Sequence, residues 1–403
     1  MYFITESCRI IREEGIFSWL KRLFRRAFFE GSTVLAWAYH GIAGPEERFS
    51  KADLDRGLLP PTAQPVFSDD DLRRIIRAYL AAKQAQAGQP AEYAVTGDWA
   101  AIVEEQHREM AAAIHAEDLT RLRQILTNFS RDKISRGLSL AGNIPHSFLD
   151  KLHMVKAYNR TYVVWKRMTG FPDSVLEYPK EIGNMHGMDA GGKAILLPAF
   201  HQSYFAQSIG TFLASKGPAR TTVVEIGGGY GSLAYHLFRD TKLNATYVSL
   251  DIPEMCVISA YFLRSCFPNK KILLYDEGPV DAAALREYDI VILPNFALKE
   301  LPPACCNLVF NSHSMTQMTP DTIKEYLRQV DRTCTGFFYH ANDETLRLNQ
   351  AGDTAYVNLN APEFELPADT FRRLYRIPEL IRNDGYLSPE FSSWEYLYER
   401  IGR

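Results

Sequence analysis

The run Glu225-Ile226-Gly227-Gly228-Gly229-Tyr230-Gly231-Ser232-Leu233 restricts the fold more than any other part of the chain. It follows the β-branched stretch Thr222-Val-Val-Glu-Ile226 and precedes a helical pattern from Ser232 to Arg239. Glycines at a strand-to-helix turn permit positive φ and let the backbone approach a ligand closely. In open α/β sheets, ligands sit at the carboxyl ends of the strands. Asp251 ends the next strand-like stretch, Ala245 to Asp251, and is followed by Ile252-Pro253. A carboxylate there can accept bonds from both hydroxyls of a ribose. A dinucleotide fingerprint G-x-G-x-x-G counted from Gly227 needs glycine at 232, where the chain has Ser232; the glycine comes one residue early, at Gly231. Glu225 beside the loop would repel a pyrophosphate but could accept hydrogen bonds from a ligand ammonium.

Strands and helices alternate through the second half. Strand-like stretches cover 222–227, 245–251, 271–275, 289–293, 307–311 and 336–340, with helical patterns over 232–239, 253–266 and 321–330. This is the pattern of βαβ units, and it predicts an α/β fold with a Rossmann-like, doubly wound, mainly parallel sheet. One more strand, then helix and loop, is expected after Tyr356. The first half reads as mostly helical, with patterns over 72–83, 98–116, 118–129 and 147–168 and an irregular proline-containing linker over 45–70. Three regions follow: 1–60, an amphipathic N-terminal helix and linker; 61–200, a helical domain; and 201–403, the glycine-loop domain.

The helix expected over 9–29 carries six basic and two acidic residues between Arg9 and Arg26. Such a helix either docks on its own domain with a solvated basic face or makes peripheral contact with the inner face of a membrane. The formal net charge of −3 gives no basic excess of the kind a nucleic-acid partner demands. No stretch reaches the roughly 20 apolar residues of a membrane span, and the start lacks the layout of a secretory signal. The expected location is the cytoplasm. The six cysteines show no C-x-x-C pair and read as reduced packing thiols.

The segment Glu225 to Gly231 followed by Asp251-Ile-Pro resembles the class I S-adenosylmethionine-dependent methyltransferases, and among them the small-molecule O-methyltransferases. Glu181-Ile-Gly-Asn184, Lys271-Ile-Leu-Leu-Tyr-Asp-Glu277, Ile292-Leu-Pro-Asn295, Asn311-Ser-His-Ser-Met-Thr-Gln-Met318 and Trp394-Glu-Tyr-Leu-Tyr-Glu-Arg400 resemble a group of bacterial putative sugar O-methyltransferases. The resemblance spans about 180–403 and implies the class I methyltransferase fold with S-adenosyl-L-methionine as cofactor. It also implies a hydroxyl acceptor on a sugar, a glycan precursor or another small molecule. Gly227, Gly229 and Gly231 would form the cofactor loop, Glu225 would face the methionine end, and Asp251 would hold the ribose. Asn295 and Asp276 compete for the adenine, with Asn295 preferred.

Methyl transfer to a hydroxyl needs a base, since alcohols are very weak acids. His313 follows the strand 307–311 at its carboxyl end and is the first candidate; His340, ending the next strand, is the second. Aligned on the following helix, the histidine of small-molecule O-methyltransferases falls at Thr316, three residues later than His313. His186, Asp189, His201 and Tyr204 lie ahead of the fold as acceptor-side candidates. Asp343, Glu344 and Asp276 could hold a divalent metal, although no ligand spacing singles them out. His107, His115, His153 and His236 lie on helices and read as structural. The alternatives in other classes are an NAD-dependent oxidoreductase, disfavoured by Ser232 and Glu225, and a non-catalytic cofactor-binding member of the fold.

Overall fold

The computed structural model describes residues 47–61, 67–138, 140, 144–145, 147–215, 217, 220–241, 243–344, 348–351, 354–357, 359–382 and 393–402. The helix expected over 9–29 lies outside them. Phe49–Arg403 form one compact unit, so the boundary expected near residue 200 falls inside it.

Strands buried on both faces read as near-continuous apolar runs, and this pattern organises the second half. A small antiparallel sheet comes first: β1 (Glu177–Tyr178), β2 (Met188–Ala190) and β3 (Lys193–Ile195). The main sheet then begins with β4 (Thr221–Ile226), every residue of which is buried. It continues with β5 (Ala245–Asp251), β6 (Ile272–Leu274), β7 (Ile290–Pro294), β8 (Cys306–Ser312) and β9 (Cys334–Asp343). β10 (Leu348–Ala351) and β11 (Thr354–Val357) pair only with each other, and β12 (Phe371–Pro378) and β13 (Ser393–Arg400) complete the main sheet.

The eight strands lie in the order β12-β13-β9-β8-β4-β5-β7-β6. Neighbours from β9 to β6 are parallel, while β13 runs antiparallel to both β9 and β12. Alternate residues feed two apolar layers. Val223, Tyr247, Leu308, Phe310 and Tyr339 face one layer, which includes Leu213, Leu237 and Leu263 from the helices Leu197–Ala214, Ser232–Asp240 and Pro253–Cys266. Val224, Val248, Val309 and Phe338 face the other, with Ile323, Leu327 and Val330 of the helix Pro320–Thr333. The sheet is therefore doubly wound and mainly parallel, as the alternation of elements predicts.

Two expectations are corrected. The strand read as 336–340 runs to Asp343, so His340 stands within β9 rather than at its end. The region after Tyr356 holds the antiparallel pair β12 and β13 and, among the described residues, no α-helix. Alternation in Ser393–Arg400 was masked by its charged and aromatic mixture, Trp394-Glu-Tyr-Leu-Tyr-Glu, which reads as neither period.

Helices of the first half pack against the helices that flank the sheet. The helix Asp69–Gln86 packs against Pro253–Cys266, where buried Glu254 receives Lys83 Nζ at 3.1 Å and the Tyr79 hydroxyl at 3.2 Å. No helix among the described residues is long and apolar enough to cross a membrane. The five described cysteines are free.

Candidate active site

The glycine loop and the turn after β8 are built against each other. Gly227 has φ +78°, and a Cβ there would lie 2.2 Å from Ser314 Oγ, so a side chain at this position must displace the neighbouring turn. Asn311 Nδ2 donates to the Ile226 carbonyl at 2.8 Å, and Asn342 Nδ2 donates to Asn311 Oδ1 at 2.7 Å. The ends of β4, β8 and β9 are thereby tied together by side-chain amides. Gly229 N–H donates to Asp251 Oδ2 at 2.7 Å and Ile252 N–H to Oδ1 at 2.7 Å, which fixes the carboxylate plane and leaves each oxygen a further lone pair.

These elements enclose a cavity of about 280 Å³ at the carboxyl ends of the parallel strands. Glu225, Gly227, Gly228, Gly229, Asp251 and Asn295 line it on the β4–β5–β7 side, and His201, Gln202, His313 and Arg382 also line it. Trp99 and Leu138 of the helical region add apolar wall, with Trp99 Nε1 donating to Gln317 Oε1 at 2.8 Å. Gly231 does not line the cavity. Its φ is +92° and a Cβ would sit 2.8 Å from Leu263 Cγ, so this glycine lets two helices approach, and Gly228 takes the cavity position instead.

The polar atoms of cavity residues that are buried without a hydrogen-bond partner include Asn295 Oδ1, Gln202 Oε1 and His313 Nδ1. Each such orphan costs about 1–3 kcal/mol unless something binds it. Asn295 is aligned by its own amide, whose Nδ2 donates to the Tyr93 carbonyl at 3.0 Å and to the Tyr326 hydroxyl at 3.1 Å. β7 is the strand beside β5, so Asn295 reaches the cavity, whereas Asp276, after edge strand β6, does not line it.

His313 has φ +57°, an uncommon conformation for a residue with a side chain. Its N–H is tied to the Ala341 carbonyl at 2.8 Å. Its Nε2 lies 3.0 Å and 3.3 Å from the two carboxylate oxygens of Glu379, which sequence reading missed. Glu379 follows β12, is fully buried, and also accepts from Ser393 Oγ at the start of β13. Burial alone would raise its pKa, but His313 and Arg382 more than offset that and hold it at about 2. With Nε2–H donating to this anion, the lone pair of His313 falls on Nδ1. The signal for Glu379 in the sequence is slight: one acid set among Ile377-Pro378 and Leu380-Ile381.

His201, one turn along the helix from Pro198, meets His313 edge to face with ring centroids 6.3 Å apart. Burial above all keeps its pKa down, at about 3. Glu225 accepts from the Tyr247 hydroxyl, and burial, aided by Asp251, pushes its carboxyl well above the ordinary range. Burial also raises Asp251, to about 7, against the pull of its two backbone donors.

The remaining candidates lie elsewhere. His340 is fully buried and stacks on Tyr396 at 4.7 Å, with Phe338, Phe364 and Tyr398 around it; burial lowers its pKa to about 3. It does not line the cavity, and the catalytic role expected for it is withdrawn. Thr316 is buried with its hydroxyl on Asn342 Oδ1 at 3.5 Å and also stays off the cavity wall. His186 bonds Ser130 Oγ at 2.9 Å, Asp189 pairs with Arg56, and Tyr204 donates to Glu395. Glu344 is paired with Arg376, and among the described residues no three His, Cys, Asp or Glu side chains are grouped to hold a metal. His236, as expected of a structural histidine, bridges Asp240 and the Tyr178 hydroxyl.

No family model matches the chain, and no curated protein matches it. Solved structures similar to it include a 1,6-didemethyltoxoflavin-N1-methyltransferase from Burkholderia thailandensis with bound 1,6-didemethyltoxoflavin and S-adenosylhomocysteine (16% identity, 50% of this chain and 78% of that one, TM-score 0.32). Another is a magnesium protoporphyrin IX methyltransferase from Synechocystis with bound S-adenosylhomocysteine (12% identity, 60% of this chain and all of that one, TM-score 0.33). At these scores the likeness says nothing of activity.

Proposed function

We propose that this protein is an S-adenosylmethionine-dependent O-methyltransferase that modifies a hydroxyl of a sugar or glycan precursor, with His313 as general base. The observation that carries the reading is one cavity lined both by a ribose-and-adenine cradle and by a histidine held by a buried carboxylate. The cradle fits the cofactor. Gly227, Gly228 and Gly229 present bare backbone along the wall, Asp251 offers two fixed acceptor oxygens, and Asn295 Oδ1 is an orphan acceptor suited to an exocyclic amine. Glu225, kept neutral by burial, becomes a counter-charge where an ammonium is brought beside it. When bound, S-adenosylmethionine supplies an electrophilic methyl group on a sulfonium.

The chain's own part is positioning and proton removal. Glu379 fixes the imidazole so that Nδ1 can take the hydroxyl proton, and its negative charge stabilises the imidazolium that forms. Calorimetry with S-adenosylmethionine tests the cradle: Asp251→Ala should weaken binding by about 10- to 150-fold through loss of charge-assisted bonds. Equal affinity in the variant overturns the assignment. Incubation with a panel of saccharides should give a product heavier by one methyl group. Binding of NAD in place of S-adenosylmethionine would favour the oxidoreductase instead.

A further inference from the structure

Arg382 lines the cavity, and although its charge helps to keep Glu379 ionised, its guanidinium has no assigned partner in the cradle or the base. It is exposed, three residues beyond Glu379, and makes no hydrogen bond or ion pair among the described residues. Glu379 is near enough to feel its charge but spends its oxygens on His313 and Ser393. The carboxylates on the cavity wall, Glu225 and Asp251, belong to the ends of β4 and β5. Arg382 is the one lysine or arginine on that wall among the described residues. Its charge reaches His201, and Gln202 beside His201 holds its orphan Oε1 in the same wall.

We infer that the acceptor is a hydroxylated molecule bearing an anionic group, held by the Arg382 guanidinium, with Gln202 Oε1 accepting from one of its hydroxyls. The inference rests on the methyltransferase reading and names its substrate class. A guanidinium presents a planar fork of donors that matches the paired oxygens of a carboxylate or a phosphate. The same forked chemistry serves a uronate carboxylate and a sugar phosphate. Since Arg382 is exposed, its attraction is screened by salt.

The test is calorimetry on the full chain saturated with S-adenosylhomocysteine, using glucose, glucuronate and glucose 1-phosphate as probes. At least one acidic probe should bind about tenfold more tightly than glucose at low salt, with the preference shrinking as salt rises. Glucuronate or glucose 1-phosphate as the tighter probe identifies carboxylate or phosphate as the anion. In Arg382→Gln the ratio of acidic to neutral affinity should fall toward one, and Arg382→Lys should keep part of it. Binding of S-adenosylhomocysteine by each variant certifies its fold. If wild-type protein holds S-adenosylhomocysteine but shows no acidic preference, or binds none of the probes, the inference is overturned. A preference that survives in Arg382→Gln overturns it equally. Failure of S-adenosylhomocysteine to bind wild-type protein overturns the methyltransferase reading itself.

Discussion

His313 and Glu379 stand 66 residues apart in the chain and touch through one side-chain contact. If His313 is the base, His313→Ala should lower kcat by roughly 10²–10⁴ while the affinity for S-adenosylmethionine stays near normal. Glu379→Gln keeps the shape but removes the anion that steadies the imidazolium, so kcat should fall and KM change little. Steady-state kinetics on both variants, with binding measured separately, checks the pair. A histidine variant that retains more than about a third of kcat removes His313 from the role. The legibility of these residues differs for a physical reason. Gly227, Asp251 and His313 sit at strand ends, and a strand end can be read from a local pattern. Glu379 becomes part of the site only because β13 runs antiparallel between β9 and β12, a long-range pairing that no local pattern encodes. His340 illustrates the converse: its strand runs three residues past the end its pattern suggests, and register sets the histidine opposite Tyr396 instead of at the mouth of the sheet.

At the scale of elements, the glycine run divides its labour. Gly231 lets the helix Ser232–Asp240 lie close to Leu263 of the next helix, and Gly227 lets the loop lie against Ser314 of the turn that carries His313. Both have positive φ, so alanine strains the backbone at either position, at roughly 1 kcal/mol before any clash. Gly231→Ala should therefore lower the melting temperature while sparing ligand affinity in the molecules that remain folded. Gly227→Ala should lose affinity for S-adenosylmethionine and turnover together, because the displaced turn belongs to the site. Thermal melts paired with calorimetry separate the two; an equal loss of affinity in both variants would contradict the division. The sequence made the run conspicuous, but which glycine faces the cavity depends on the partner across each Cβ, Ser314 or Leu263, and those partners come from other elements.

Across the whole molecule, the sheet also buries acids away from the cavity wall. Glu395 on β13 is 1% exposed and takes the hydroxyls of Tyr339 at 2.6 Å and Tyr204 at 3.1 Å on Oε2. Burial raises its pKa to about 8, despite the two donors. A carboxyl raised in the folded state binds its proton more tightly there than in the unfolded chain. Stability is therefore greatest below the unfolded value, near 4.3, and is lost as pH climbs toward 8. Glu395→Gln removes this dependence, so the variant should gain melting temperature relative to wild type between pH 5 and pH 9. Parallel melts at the two values check it, and a difference that does not grow with pH refutes the assignment. The alternation of strands and helices makes the parallel part of this sheet legible, because each unit is closed by its own neighbour. The antiparallel edge is not, since Ser393–Arg400 acquires its meaning only from the strands on either side.

That edge also makes two properties of the site separable in time. The loop that would grip the cofactor is closed by contacts among β4, β5 and β8, at the centre of the sheet, whereas Glu379 is delivered by the outermost pair, β12 and β13. Edge elements open at lower free energy than the sheet's middle. On warming, each brief detachment of that pair would yield a molecule still loaded with cofactor but idle, its imidazole without the anion that steadies it. Turnover should then fade several degrees before cofactor retention does, and amide exchange in β12 and β13 should track the fading rate.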